Sequence, residues 1–164
     1  MTIAYIALGA NLGERLQTIR SAIRDLAEVG SIEAISSVYE TDPVGYADQP
    51  AYLNAVVATD TALTAEGLLD ALLSIERAHG RVRTFPNAPR TLDLDIILFG
   101  DEVRQSERLT IPHPRMQERT FVLAPLNEIA AGVIVPGLDA SVAELLTRLG
   151  PVSGVRRFAP PVSN

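Results

Sequence analysis

The chain has no cysteine, no lysine and no tryptophan among its 164 residues. Without cysteine there are no disulfides, thiolate nucleophiles or thiolate metal sites, so any metal must sit on oxygen or histidine ligands. Without lysine, P-loop, Schiff-base and lysine general-base chemistry drop out, and every basic residue is an arginine. There is no run of 18 apolar residues, and Met1-Thr2-Ile3-Ala4-Tyr5 lacks the basic start of a secretory signal. These absences predict a cytoplasmic chain with no membrane partner.

What is present fits one compact domain. Hydrophobic residues make up 47% of the chain, enough for a substantial core, and the expected division is a single domain over 1–158 and a flexible tail over 159–164. A monomer is expected. The net charge of −6 argues against a general nucleic-acid binder, but it is unevenly spread. Residues 1–76 hold three arginines against eleven acids, whereas residues 77–119 hold eight against six.

Periodicity places the elements. Residues 2–8 read as a buried strand ending at Gly9, followed by a turn and an amphipathic helix built on Leu12, Leu16, Ile19, Ile23 and Leu26. Asn11 and Glu14 have the form of a capping box for that helix. Strands are predicted over 31–41 and 52–59. A second helix runs from a cap at Thr64 to about His79, and after a loop over 80–90 a strand runs from Thr91 to Phe99. Helices are predicted over 116–130 and 139–149. The order is that of an α+β, ferredoxin-like βαββαβ core with an antiparallel sheet and extra C-terminal helices.

The strand that begins Pro89-Arg90-Thr91-Leu92-Asp93-Leu94-Asp95 carries two acids among apolar residues. Period-two alternation puts Thr91, Asp93, Asp95, Ile97 and Phe99 on one face, with the two aspartate Cα atoms roughly 6.5 to 7 Å apart. Such a pair can share a hard divalent cation that keeps its waters and takes substrate phosphates, or it can sit on a solvated face paired to arginine. Arg81, Arg83 and Arg90 precede the acids, and Arg108, Arg115 and Arg119 follow, with His113 between Pro112 and Pro114. Guanidinium groups bind phosphate bidentately and stay charged, so arginines around a metal suit a polyphosphate. Glu76, at the end of the second helix, reads as a surface ion-pair partner. Tyr52 and Asn54 share a strand face near Thr41, an aromatic and an amide suited to a flat heterocycle.

Seven stretches together resemble the 6-hydroxymethyl-7,8-dihydropterin pyrophosphokinase family of the folate pathway. They are Ala7–Gly13, Tyr39–Gly45, Asp48–Ala55, Gly80–Arg83, Pro89–Asp95, Ile111–Met116 and Phe121–Leu123. The resemblance implies transfer of pyrophosphate from ATP to the pterin hydroxymethyl oxygen, with two Mg²⁺ ions on Asp93 and Asp95. It implies catalytic roles for Arg81, Arg83, Arg90, Asp93 and Asp95. ATP contacts are implied for Glu76, Arg83, Arg90, Arg108, Thr110, His113 and Arg119. The implied pterin pocket comprises Thr41, Asp42, Val44, Tyr52, Asn54, Asp93 and Phe121, with Tyr52 and Phe121 stacking on the ring. Some members carry a lid tryptophan where this chain reads Thr84-Phe85-Pro86-Asn87-Ala88. A loop over 80–90 that closes on ATP is expected. Two other readings are a non-catalytic ferredoxin-like module that binds a small ligand, and a sugar-nucleotide transferase, for which 164 residues leave too little room.

Overall fold

In the computed structural model, residues 1–11, 13–42, 51–80, 92–150 and 154–162 are described. The β-branched and apolar run at the start forms β1 (Thr2–Ala10), which carries on through Gly9 rather than ending there. The helix α1 (Arg15–Leu26) starts later than the Asn11–Glu14 pattern predicts: Glu14 holds the cap position and no side chain caps it. Gly13, at φ 62, puts a left-handed turn between Asn11 and the helix, so Asn11 lies too far ahead to cap it. Asn11 is itself buried.

The strand predicted over 31–41 is two, β2 (Ser31–Ile35) and β3 (Val38–Thr41). Ser36 and Ser37 divide them. Ser36 bonds in both directions with the backbone of Val56, and Ser37 donates its N–H and hydroxyl to the Glu128 carboxylate at 2.8 and 2.6 Å. Next come β4 (Tyr52–Thr61) and α2 (Ala65–Ala78), whose cap Thr64 accepts from the Gly67 N–H as predicted. The acid-bearing strand is β5 (Asp93–Phe99).

Two short hairpins follow, β6 (Arg104–Gln105) with β7 (Thr110–Ile111), and β8 (Ile134–Val135) with β9 (Ala140–Ser141). The helix predicted over 116–130 is a single 3₁₀ turn, Met116–Glu118, then α3 (Thr120–Ala130), with extended Arg119 between them. The last helix is α4 (Val142–Leu149), capped by a reciprocal Ser141–Glu144 box. A final strand, β10 (Val155–Ala159), falls where the sequence predicts no element.

The main sheet runs β10-β3-β4-β1-β5 with β2 also on β4, and all these neighbours are antiparallel. This is the ferredoxin-like arrangement, in which two βα units send their helices to one face of the sheet. Two cores result. Ala4, Ile6, Leu8 and Ala10 of β1 pack with α1 and α2, while Val56, Ile97 and Leu98 pack with α3 and α4 on the opposite face. The alternation predicted for β5 holds through Ile97 and fails at Leu98 and Phe99. A bulge at Tyr5/Ile6 leaves Ile97 without a β1 partner, the phase shifts, and Phe99 turns to the α1–α2 core, away from the acids' face.

Candidate functional site

Cross-strand register brings the predicted residues into two rows on one face of the sheet. The first row runs Tyr39, Asn54, Gly9, Asp93, and the second runs Val56, Ala7, Asp95. Directly paired residues point to the same side, so the two acids on β5 and the amide on β4 share a face with only Ala7 and Gly9 between them. Two ladder spacings separate Asn54 from Asp93, about 10 Å. The floor of that gap is therefore almost free of side chain. A Cβ built on Gly9 would come within 3.2 Å of Asn54 Nδ2 and 3.7 Å of the Tyr52 ring. The sequence signals this role only as a glycine inside a strand, a sign of close approach by another group.

On the amide side, the Thr41 hydroxyl donates to Asn54 Oδ1 at 2.7 Å, which leaves the Asn54 NH₂ turned toward Gly9. Tyr52 pairs with Thr41 on the same face. Asp42 holds the end of β3 to the chain's last strand: its N–H donates to the Gly154 carbonyl, and Arg156 reaches Asp42 and Glu40 at 3.2 and 2.8 Å. Phe121 lies in the first turn of α3, with the Arg119 guanidinium 5.4 Å from its ring centre.

On the acid side, Asp93 and Asp95 are half-buried and each has a partner. His113 is tied to β5 through its N–H on the Ile97 carbonyl, 2.9 Å. Burial, followed by the Arg119 charge, holds its imidazole pKa down; Asp93 opposes the shift and Arg115 adds to it. Nδ1 accepts from the Arg115 N–H at 3.3 Å, so the neutral ring carries its proton on Nε2 and can donate from there. Thr110 lies on β7, while the Arg108 side chain is engaged with Asp70 of α2.

Glu76 departs from its surface reading. It is 2% exposed, and its Oε2 accepts the N–H of Leu94, the residue between the two acids, at 2.7 Å. An apolar helix face is a poor predictor here, because the carboxylate goes inward to serve the edge of a strand far along the chain. Arg81, Arg83, Arg90, Val44, Phe85 and, apart from Gly80, the lid predicted over 80–90 lie outside the described residues.

The donor set fits Mg²⁺. Two carboxylates face a gap walled by alanine and glycine, and among the described residues no group of three or more His, Cys, Asp or Glu gathers into a cage. A hard ion that needs only one or two carboxylates and completes its shell with water and phosphate suits such a site. No helix among the described residues is long and apolar enough to cross a membrane.

Comparison with known proteins agrees with this geometry. Residues 5–131 match the family model described as 7,8-dihydro-6-hydroxymethylpterin-pyrophosphokinase. The 2-amino-4-hydroxy-6-hydroxymethyldihydropteridine pyrophosphokinase of Haemophilus influenzae is 42% identical over 97% of this chain and 94% of its own length. The Bacillus subtilis protein of the same name is 49% identical over 80% of each. A folic acid synthesis protein of Schizosaccharomyces pombe is 40% identical over 96% of this chain, which spans only 22% of that longer protein. A Plasmodium falciparum HPPK-DHPS crystal structure with pterin and p-hydroxybenzoate superposes with a TM-score of 0.70 at 17% identity, covering 90% of this chain and 43% of that one. That likeness concerns the fold alone. The named relatives favour an enzyme over a non-catalytic ligand-binding module, and the chain belongs to the 7,8-dihydro-6-hydroxymethylpterin-pyrophosphokinase family.

Proposed function

We infer that this chain transfers pyrophosphate from ATP to the hydroxymethyl group of 6-hydroxymethyl-7,8-dihydropterin, giving AMP and the pterin diphosphate for folate synthesis. The observation that carries this reading is the paired rows on one sheet face. They set an amide and an aromatic ring beside two carboxylates, across a floor of alanine and glycine. In the reaction the hydroxymethyl oxygen bonds to the β-phosphorus of ATP and gives up its proton. The bond from that phosphorus to the α–β bridging oxygen breaks, and AMP leaves with the oxygen.

In this reading Asn54 and Thr41 hold the edge of the ring, Tyr52 and Phe121 cover its faces, and Asp42 and Val44 close the pocket. Asp93 and Asp95 hold two Mg²⁺ ions, with Asp93 nearest the pterin. Bound there, the ions neutralise phosphate charge and polarise the attacking hydroxyl. Arg81, Arg83 and Arg90 supply further positive charge to the transferring group, and Arg108, Thr110, His113 and Arg119 anchor the triphosphate. Positioning and charge stabilisation carry most of such a transfer. For Arg108 this requires exchange of Asp70 for phosphate, a small cost because both partners of that pair are exposed. The chain works as a monomer in the cytoplasm, where ATP is supplied.

The test is a coupled assay with ATP, Mg²⁺ and the hydroxymethyl dihydropterin. AMP and pterin diphosphate in equal amounts are the expected products. ADP, or no turnover, would overturn the reading.

A further inference from the structure

Among the described residues the strand that bears the two acids is an edge of the sheet, with β1 on one side and no strand on the other. Along such a strand, successive backbone N–H groups turn to opposite edges. The Leu94 N–H goes outward to Glu76, so those of Asp93 and Asp95 turn toward β1. Beside the two acids, that outer edge is met by a carboxylate from the last turn of α2, while further along His113 bonds the Ile97 carbonyl. Burying a carboxylate is costly unless strong hydrogen bonds satisfy it, and a charge-assisted bond of 2.7 Å in a buried setting is of that kind. Leucine in this position would pack as well as its neighbours Leu68 and Leu72, but it would leave the Leu94 N–H unpaired.

We propose that Glu76 is a positioning residue for Asp93 and Asp95, fixing the peptide between them so that both carboxylates face the same cation site. This rests on the reading of those aspartates as metal ligands. Residues that orient metal ligands from behind typically change metal affinity by roughly 10–100-fold when removed. Glu76 would act through backbone geometry, so a neutral side chain of the same shape with a carbonyl oxygen should largely replace it.

The experiment measures Mn²⁺ binding in the presence of α,β-methylene-ATP, by electron paramagnetic resonance, for the unmodified protein and for Glu76→Ala, Glu76→Gln and Asp95→Ala. Amide exchange at Leu94 is followed in parallel. Glu76→Ala should weaken Mn²⁺ binding at least about 10-fold and expose the Leu94 amide, while Glu76→Gln should stay within about threefold of the unmodified protein. The Michaelis constant for the pterin should hardly move while kcat falls. Equal Mn²⁺ affinity in Glu76→Ala, or equal losses in the Ala and Gln variants, would overturn the proposal. So would fast exchange of the Leu94 amide in the unmodified protein, a measurement that does not depend on any variant folding. If Asp95→Ala leaves Mn²⁺ binding untouched, the aspartate reading itself fails and takes this inference with it.

Discussion

Single residues divide the site into parts that can be tested separately. Asp95→Ala should leave far-UV circular dichroism unchanged and lower kcat by at least about 10³-fold, since it removes half of the carboxylate pair. Gly9→Ala tests the floor of the gap. The new Cβ would crowd Asn54 Nδ2 at 3.2 Å, and displacing that amide should cost about 1 kcal/mol of pterin binding, roughly fivefold in Kd. Calorimetric titration with the pterin and with an ATP analogue should show the first weakened and the second unchanged. Asp93, Asp95, Tyr52 and Asn54 were legible because alternation along a strand is local. Gly9 and Glu76 were not, since what makes each matter lies across the ladder: Asn54 and Asp93 for the glycine, Leu94 for the glutamate.

Among the strands of the main sheet, β10 falls where the sequence predicts no element. It has little apolar alternation, and it is held by pairing with β3 and by contacts that sequence spacing cannot bring together: Arg156 with Glu40 and Asp42, and the Arg15 guanidinium 5.6 Å from the Phe158 ring centre. Arg156 first and Arg15 next hold the Glu40 carboxyl below its usual pKa, with partial burial opposing. A folded-state pKa below the unfolded one means that the unfolded chain takes up the proton first. The stabilisation is therefore complete above about pH 4.5 and fades as the pH falls through the folded value. Glu40→Gln should flatten this part of the stability profile, seen as a smaller decline in Tm between pH 5 and about pH 3 than in the unmodified protein. Ser141-Val142-Ala143-Glu144 is a local capping pattern that needs no partner from elsewhere, and it starts α4 at Val142 rather than at the predicted 139. Ser141→Ala should cost about 1 kcal/mol, measured by urea titration.

The molecule has its main sheet between two helical layers, and the ferredoxin-like core, though not β10 at its edge, could be read in advance from the order of its two βα units. The bulge in β5 and the Ser36–Ser37 break were not readable, because both answer to a partner strand or to Glu128 rather than to their own neighbours. Since both cores share the same strands, they should melt together. Leu123→Ala, in the α3–α4 core, should cost roughly 2–5 kcal/mol yet still give a single transition, with far-UV and tyrosine near-UV signals coincident. Separate transitions would mean that the second helical layer can detach from an intact sheet.

The Thr41–Asn54 hydrogen bond also works as a chemical filter. With Oδ1 turned to the threonine hydroxyl, Asn54 sets its NH₂ over Gly9 and so presents donors to the gap. A ring whose facing edge carries an oxo group or an unprotonated nitrogen completes the bond, whereas an amino group in the same place sets N–H against N–H. Oxo-substituted pteridines should therefore bind far better than their amino counterparts, and Thr41→Val, which frees the amide to turn over, should narrow that preference.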